Sequence, residues 1–174
     1  MRLFIAVNFN EDTRAGLVRL RDGLRARSER GSFTEAENLH LTLAFLGECG
    51  AEQAEMVKVI MEEFRFDPFP ISINRVRRFE RSGGIWWAGL EECEPLINLQ
   101  SGLAGKLIDA GFGIDKRGYV PHITLGREVV TSAEPWEVEP FGEVVAGIEL
   151  MGSKRGNSRL IYEVLYGVYA QGNV

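Results

Sequence analysis

Histidine occurs only twice in the 174 residues, at His40 and His122, and both stand in the same short frame about half the chain apart. Each is followed by a branched aliphatic residue, a threonine (Thr42 or Thr124), a leucine and a small residue. An imidazole has an ordinary pKa of about 6.5, so one member of a pair can accept a proton while the other, protonated, donates one. The repeated frame marks both histidines as candidate acid–base catalysts.

The spacing within each frame predicts a β-strand that carries its histidine and threonine on one face. Side chains alternate across a strand, so the aliphatic neighbours, together with Phe45, are expected on the opposite, buried face. The small residue that closes each frame, Ala44 or Gly126, is expected to keep the polar face open or to allow a close approach. A single histidine on a strand is more often a structural residue, but the duplication favours catalysis.

Two imidazoles across a cleft suit in-line displacement at phosphorus, where one group activates the nucleophile and the other protonates the leaving oxygen. The non-bridging oxygens need hydrogen-bond donors, and Thr42 and Thr124 share a face with the two histidines. Arg127, at the end of the second frame's strand, can offer a guanidinium to the phosphate; the alternative is an ordinary surface charge.

Other catalytic motifs are missing from the sequence. It has no phosphate-binding glycine loop that ends in Lys-Ser or Lys-Thr, no dinucleotide-binding glycine fingerprint, no His-Glu-x-x-His and no EF-hand loop. Two histidines without a carboxylate in either frame make a poor catalytic metal site, which usually has three protein ligands. We therefore expect chemistry without a metal or cofactor.

Composition is that of an ordinary globular protein, with 45% hydrophobic and 26% charged residues and a net charge of −5. This charge argues against a broad grip on duplex nucleic acid but leaves room for a small basic pocket. Two cysteines, Cys49 and Cys93, suit a reducing compartment. No signal segment or membrane-spanning stretch is recognisable, so we expect a cytoplasmic protein.

The order of elements predicts an α+β fold, with helices at about 13–28, 51–64 and 95–110 between antiparallel strands. Asp12 or Thr13 is expected to cap the first helix, and most of its arginines are expected on a solvated face. Helical spacing predicts the inward-facing residues of the three helices: Leu17, Leu20 and Leu24; Met56, Val59, Ile60 and Phe64; and Leu96, Leu99, Leu103 and Leu107.

The strand that begins at Phe69 alternates up to Ile73, and its alternation is expected to slip in phase afterwards. Residues 131–142 are expected to form a connection, and Pro70 suggests an edge strand. Ser82-Gly83-Gly84 is expected to form a hairpin turn. Trp86 and Trp87 must point to opposite faces, one into the core and the other either toward a base or to solvent.

We expect residues 1–174 to form a single domain with two antiparallel-sheet lobes, outer helices, and a central cleft that carries one His-x-Thr strand from each lobe.

The chain resembles the 2H phosphoesterases and, more narrowly, the RNA 2′,3′-cyclic phosphodiesterases, historically called 2′-5′ RNA ligases. The resemblance rests on five segments and one tyrosine: Arg2-Leu3-Phe4-Ile5-Ala6, Glu37 to Gly47, Trp87-Ala88-Gly89-Leu90, Pro121 to Arg127, Leu150 to Ser153, and Tyr162. It implies a bilobal fold and metal-independent hydrolysis of an RNA 2′,3′-cyclic phosphate to a 2′-phosphate. It also implies that His40 is the general acid, that His122 is the general base, and that Thr42, Thr124 and Arg127 hold the phosphate. The family often has an aromatic residue at the position of Val120 and a tryptophan near Phe33, which bears on substrate fit.

Three alternatives stay open. The chain could bind RNA ends without catalysis, hydrolyse another small substrate (a cyclic nucleotide, an ADP-ribose cyclic phosphate or a 2′-5′ oligoadenylate), or be a divalent-metal hydrolase. No adenylate-accepting lysine motif is apparent, so any RNA joining would be an ATP-independent side activity in which a 5′-hydroxyl replaces water. The expected partner is an RNA with a cyclic phosphate end or a small cyclic nucleotide, bound by a monomer.

Overall fold

Two antiparallel sheets and three α-helices make up the part of the chain that this computed structural model describes, residues 1–80 and 83–170. The strands are β1 (Arg2–Val7), β2 (Ser28–Phe33), β3 (Leu41–Glu48), β4 (Phe69–Arg78), β5 (Trp86–Leu90), β6 (His122–Thr131), β7 (Trp136–Val145), β8 (Gly147–Gly156) and β9 (Arg159–Tyr169). The helices are α1 (Glu11–Ala26), α2 (Ala51–Glu62) and α3 (Glu94–Asp109), and a short 3₁₀ turn covers Ala36–Asn38.

Each sheet carries one of the two histidine frames. The first sheet has the order β3-β1-β8-β9 and the second has the order β2-β6-β5-β4-β7, with antiparallel pairing throughout. His40 directly precedes β3, and His122 begins β6. The predicted α+β fold with one frame in each sheet is confirmed. The sheets are not the two halves of the chain, however, because the first combines strands from both ends of the described segment.

The helices bury the leucines that the sequence singled out, although their boundaries differ. Asn10 caps α1 by accepting a 2.9 Å hydrogen bond from the backbone N–H of Thr13, so the helix begins before the predicted caps Asp12 and Thr13. The predicted inward leucines are buried, apart from the half-buried Leu20: Leu17 and Leu24 in α1, and Leu96, Leu99, Leu103 and Leu107 in α3. Both helices therefore cover the sheets with a continuous apolar face.

Helix α2 turns a different face inward from the one predicted. Met56 and Val59 are 46% and 58% exposed, whereas Val57 and Met61 are buried. Ile60 belongs to both the predicted and the observed stripe, so the spacing alone fits either rotation of the helix. Packing against α3 and the core selects the stripe that includes Val57 and Met61.

Two strands were missed because they lie at the edges of the second sheet. Strand β2 is almost entirely polar, and β7 falls where a connection was expected. An edge strand is paired on one side only, so its apolar alternation is weak and a proline such as Pro140 is tolerated. The edge position predicted for Pro70 is wrong, because β4 lies between β5 and β7 and Pro70 pairs with Val144 near the start of the strand.

Irregular pairing changes which side chains face the cleft. The phase slip expected after Ile73 appears as a register shift in the pairing of β4. A similar shift in β3 turns Ala44 into the core and leaves Phe45 57% exposed, so the faces expected for these two residues were wrong. The turn predicted at Ser82-Gly83-Gly84 falls partly outside the described residues, at Ser82.

Most buried apolar side chains form one cluster that includes residues of both sheets and all three helices. A second, small cluster of Phe4, Ala6 and Met151, with Tyr162 packed against it, lies on the opposite face of β1. This second face is the one that borders His40. In the described part of the chain, no helix has the length and apolar character needed to cross a membrane.

Candidate active site

His40 is held by one hydrogen bond at each ring nitrogen. Its Nδ1 atom lies 2.6 Å from the carbonyl oxygen of Asn38, and its Nε2 atom lies 2.9 Å from Oγ1 of Thr42. A carbonyl oxygen can only accept, so Nδ1 carries the proton and Nε2 is the atom that gains or loses one. The prediction that His40 and Thr42 share a face is confirmed, although β3 itself begins one residue later, at Leu41.

His122 is oriented in the same way. Its Nδ1 atom lies 2.7 Å from the carbonyl oxygen of Val120, two residues earlier in the chain. Each histidine thus donates Nδ1–H to the backbone of its own segment and leaves Nε2 for chemistry. The sequence frames did not include this backbone acceptor, because every residue type offers the same carbonyl group.

All five residues singled out from the sequence line one cavity of about 330 Å³: His40, Thr42, His122, Thr124 and Arg127. The remaining lining residues are Arg2, Phe4, Thr34, Asn38, Phe45, Ser153, Leu160 and Tyr162. The cavity therefore joins one frame from each sheet. It offers two imidazoles, several hydroxyls and two guanidinium groups within a single small volume.

Aromatic rings fix both imidazoles. Phe4 packs beside His40 with ring centroids 4.8 Å apart, and Tyr162 meets the same imidazole edge-on at 5.3 Å. Phe79 and Trp87 lie 5.1 and 6.0 Å from the His122 ring centroid and stack on each other. These contacts restrict both rings to one orientation, which is the preorganisation that proton transfer requires.

Trp86 and Trp87 face opposite sides of β5, as the alternation of side chains along a strand requires. Trp86 is buried in the main core, and Trp87 faces the other way, beneath His122. Trp87 is itself only 8% exposed, so it supports the imidazole and presents neither the open ring face nor the solvent-exposed surface considered for it. The exposed aromatic residue at the cleft is Phe45 instead.

The surroundings favour the neutral form of both histidines. Burial is the main cause that lowers the pKa of His40; the positive charges of Arg127 and Arg14 and the second imidazole act in the same direction, and the hydrogen bond to Asn38 opposes them. Burial also lowers the pKa of His122, again with Arg127 contributing. Arg127 lines the same cavity as both imidazoles, so its guanidinium borders the space that they share.

Several residues that the frames did not predict hold the site together. The hydroxyl of Thr34 donates to the carbonyl of Thr124 (2.9 Å), and the hydroxyl of Tyr119 donates to the carbonyl of Thr42 (2.7 Å). Burial raises the pKa of Tyr119, which keeps this donor protonated. The side chain of Asn38 donates to the carbonyl of Leu160 on β9 (2.8 Å). Sequence spacing gives no signal for these contacts because each joins distant segments.

A wider groove of about 580 Å³ adjoins the cavity and shares Thr42, Phe45 and His122 with it. Its other walls come from Leu43 and Ala44 of β3, from Phe79, from Gln100 of α3 and from residues 113–115 and 117–120. Phe45 is 57% and Val120 is 47% exposed, so the groove offers apolar surface directly beside the polar cavity. Among residues 1–80 and 83–170, no group of three His, Cys, Asp or Glu side chains could hold a metal ion.

Comparison with known proteins gives a consistent result. Residues 7–87 match the family model described as LigT like Phosphoesterase. The chain is 35% identical over 131 residues to the RNA 2′,3′-cyclic phosphodiesterase of Methanothermobacter thermautotrophicus, covering 73% of this chain and 71% of the relative. It is 34% identical over 152 residues to the protein of the same name from Archaeoglobus fulgidus, covering 83% and 85%.

Solved structures agree with the fold over nearly the whole chain. A crystal structure of Escherichia coli LigT complexed with 3′-AMP matches with a TM-score of 0.89 and 26% identity, covering 98% of both chains. The structure of the same protein complexed with phosphate matches with a TM-score of 0.82 and 25% identity over the same share. The likeness therefore includes both sheets.

Proposed function

Since the chain belongs to the LigT-like phosphoesterases of the 2H superfamily, we propose that it hydrolyses RNA 2′,3′-cyclic phosphate ends to a 2′-phosphate. The observation that carries this proposal is the single cavity lined by two imidazoles, two threonines and Arg127. Relatives named RNA 2′,3′-cyclic phosphodiesterase support the substrate class.

In the proposed reaction, Nε2 of His122 takes a proton from a water molecule while the water oxygen forms a bond to phosphorus. The bond from phosphorus to O3′ breaks, and protonated His40 delivers its Nε2 proton to that oxygen. The products are a 2′-phosphate and a free 3′-hydroxyl. Each imidazole keeps Nδ1–H on its backbone carbonyl throughout, which supports the ring orientation during transfer.

The phosphate is proposed to sit between Thr42, Thr124 and Arg127. A guanidinium can bind two phosphate oxygens, and hydroxyl donors stabilise the charge that builds up on the non-bridging oxygens. The structure of Escherichia coli LigT complexed with phosphate supports an anion site in such a fold. No step of the proposed reaction requires a metal ion. We therefore predict that turnover is independent of metal.

The nucleoside is proposed to occupy the neighbouring groove, with its base against Phe45. The cavity is polar and suits the phosphate, whereas the groove presents the exposed ring of Phe45 and the apolar Val120. Bases stack on aromatic side chains without strong sequence preference. The complex of Escherichia coli LigT with 3′-AMP supports a nucleotide as a ligand of this fold.

A 5′-hydroxyl in the position of the attacking water would join RNA ends by the same displacement, without ATP: its oxygen bonds to phosphorus, its proton goes to His122, and the P–O3′ bond breaks as in hydrolysis. We propose this ligation only as a side activity, because water is present at far higher concentration. We also propose a cytoplasmic monomer with one bilobal domain. The main cluster of buried side chains, which includes residues of both sheets, supports the single domain, and Cys49 and Cys93 are both free thiols.

The proposal is tested with an oligoribonucleotide that ends in a 2′,3′-cyclic phosphate, followed by chromatographic identification of the product. We expect a 2′-phosphate, unchanged turnover after exhaustive chelation, and loss of turnover in His40→Ala and His122→Ala. Turnover that survives either substitution would exclude paired-histidine catalysis. Binding without turnover by the unsubstituted protein would point to an RNA-end binder, and turnover only of another small phosphodiester would redirect the substrate assignment.

A further inference from the structure

The segment of residues 34–39 links the two sheets beside the cavity. It leaves the end of β2 in the second sheet and leads into His40 and β3 in the first. Thr34 and Asn38 of this segment line the cavity, and the carbonyl of Asn38 holds the His40 ring. Any shift of the segment would therefore move His40 relative to the second frame.

Arg14 of helix α1 donates hydrogen bonds to the end of this segment that is nearer His40. Its Nη1 donates to the carbonyl oxygen of Ala36 at 2.5 Å and lies 3.4 Å from the carbonyl oxygen of Leu39. Its Nη2 donates to the carbonyl oxygen of Phe9 at 3.3 Å. The rigid fork of a guanidinium can bridge several carbonyls at fixed spacing, which a lysine ammonium cannot reproduce. Arg14 thus ties the residues on both sides of Asn38 to the helix.

Arg21 lies two turns further along the same helix and binds the other end of the segment. Its Nη1 donates to the carbonyl of Thr34 at 2.9 Å. Thr34 in turn bonds the second frame twice, through its hydroxyl to the carbonyl of Thr124 and through its backbone N–H to the carbonyl of Leu125, both at 2.9 Å. Arg21 is therefore connected to the strand of His122 through one residue.

We propose that Arg14 and Arg21 are positioning residues that set the placement of His40 against the second frame. Neither lines the cavity, so both act through the segment of residues 34–39. The sequence pattern had suggested a solvated face for most arginines of this helix. The effect on turnover rests on the proposed function, but the placement of the imidazole does not, and it can be measured without substrate.

The first test compares Arg14→Gln and Arg21→Gln with Arg19→Gln, a matched loss of charge at an exposed position of the same helix. A misplacement of about 1 Å can cost about 100-fold in rate. We expect kcat to fall by about tenfold or more in both variants while KM changes little, and Arg19→Gln to stay within about twofold of the parent. Equal kcat in all three variants would overturn the proposal.

The second test measures the pKa of each imidazole by NMR in the absence of substrate, with His122→Ala used for assignment. The titratable and charged groups near His40 come from several elements: Arg2, Arg14, His122, Arg127 and Tyr162. Loss of the Arg14 charge and looser packing both favour the protonated ring. We expect Arg14→Gln to raise the pKa of His40 and to leave that of His122 unchanged.

Arg14→Lys separates position from charge and serves as the second variant if Arg14→Gln does not fold. The pKa of His40 in Arg14→Lys should stay close to the parental value because the positive charge remains. The value of kcat should still fall, because an ammonium cannot bridge the carbonyls. Parental kcat in Arg14→Lys, or an unchanged His40 pKa in Arg14→Gln, would overturn the role of Arg14. If the parent protein has no turnover of cyclic phosphates, the ring chemical shifts of His40 in the same NMR spectra decide its placement: Arg14→Lys keeps the charge, so shifts that differ from the parent show a moved imidazole, and parental shifts overturn the role of Arg14.

Discussion

The Nε2 atom of His40 lies 2.9 Å from Oγ1 of Thr42, so the proposed acid and a proposed phosphate ligand already share a hydrogen bond. When His40 is neutral, the hydroxyl donates to Nε2. When His40 is protonated, Nε2–H donates to Oγ1, and the hydroxyl proton is free to turn toward a phosphate oxygen. The protonation state of the imidazole therefore determines whether Thr42 is available to the substrate.

Replacement of Thr42 by valine should remove this donor with little change of shape. A hydrogen bond to a charged group contributes about 1.5–3 kcal/mol, so kcat/KM for a cyclic phosphate should fall by about tenfold or more. Steady-state kinetics check the value. Thr42→Ser keeps the hydroxyl and is the control; if it loses as much activity as Thr42→Val, the hydroxyl is not the group that matters.

Replacement of Phe45 by alanine should weaken binding of the nucleoside. Base stacking on an aromatic ring contributes about 1–3 kcal/mol per base, which corresponds to a loss of about 5- to 150-fold in kcat/KM. Kinetics with a cyclic-phosphate oligonucleotide measure it. Val144→Ala removes a side chain that is equally exposed, at 57%, on a strand of the other sheet and should have no effect. Similar losses in both variants would contradict a base site at Phe45.

The rate should have its optimum on the acid side of neutrality. Burial lowers the pKa of both His40 and His122 from the ordinary value of about 6.5. The acid must be protonated and the base neutral, so the profile of kcat/KM should be bell-shaped with its maximum below pH 6.5. In the enzyme–substrate complex, the negative charge of the bound phosphate stabilises a protonated imidazole and so raises its pKa. The alkaline limb of the kcat profile should therefore lie at a higher pH than the alkaline limb of the kcat/KM profile. A flat profile with chemistry rate-limiting would contradict this assignment.

The free energy of unfolding should fall as the pH is lowered through the same range. Because both folded-state pKa values lie below those of the unfolded chain, the unfolded state binds more protons below about pH 6.5. The stabilisation by neutral histidines is complete above that pH and is lost as the pH falls through the folded values. Urea denaturation at pH 7.5 and 5.5 measures the difference. Replacing both histidines by glutamine should reduce it, and an undiminished difference would assign the effect to other groups.

Gly126, the small residue of the second frame, should not tolerate a methyl group. A Cβ atom there would lie 2.9 Å from Cγ2 of Val129 and 3.1 Å from Cδ1 of Phe33. Overpacking in a buried site costs about 1–3 kcal/mol, so Gly126→Ala should lower the midpoint of thermal unfolding. Gly105 in the interior of α3 has open space at Cβ, and Gly105→Ala should instead stabilise the helix by about 0.5–1 kcal/mol. Differential scanning calorimetry compares the two; equal midpoints would contradict the crowding at Gly126.

Much of the site was determined by the sequence alone, because it depends on the period of a single strand. Residues two apart on a strand share a face whatever the strand pairs with, so the His40–Thr42 relationship could be predicted before any fold was known. The leucines of α1 and α3 were predictable for the same reason, since helical spacing is local. The bilobal arrangement came from the duplication of the frame.

The tertiary structure decided what depends on partners distant in sequence. The register shift in β3 moved Phe45 to the cleft, pairing showed that β2 and β7 are edge strands, and burial placed Trp87 beneath His122. The long-range hydrogen bonds of Arg14 and Arg21 leave no periodic trace, because each arginine reaches a backbone carbonyl that any residue would provide. Sequence identifies side chains with distinctive chemistry, whereas contacts to common backbone groups become visible only once the chain has folded.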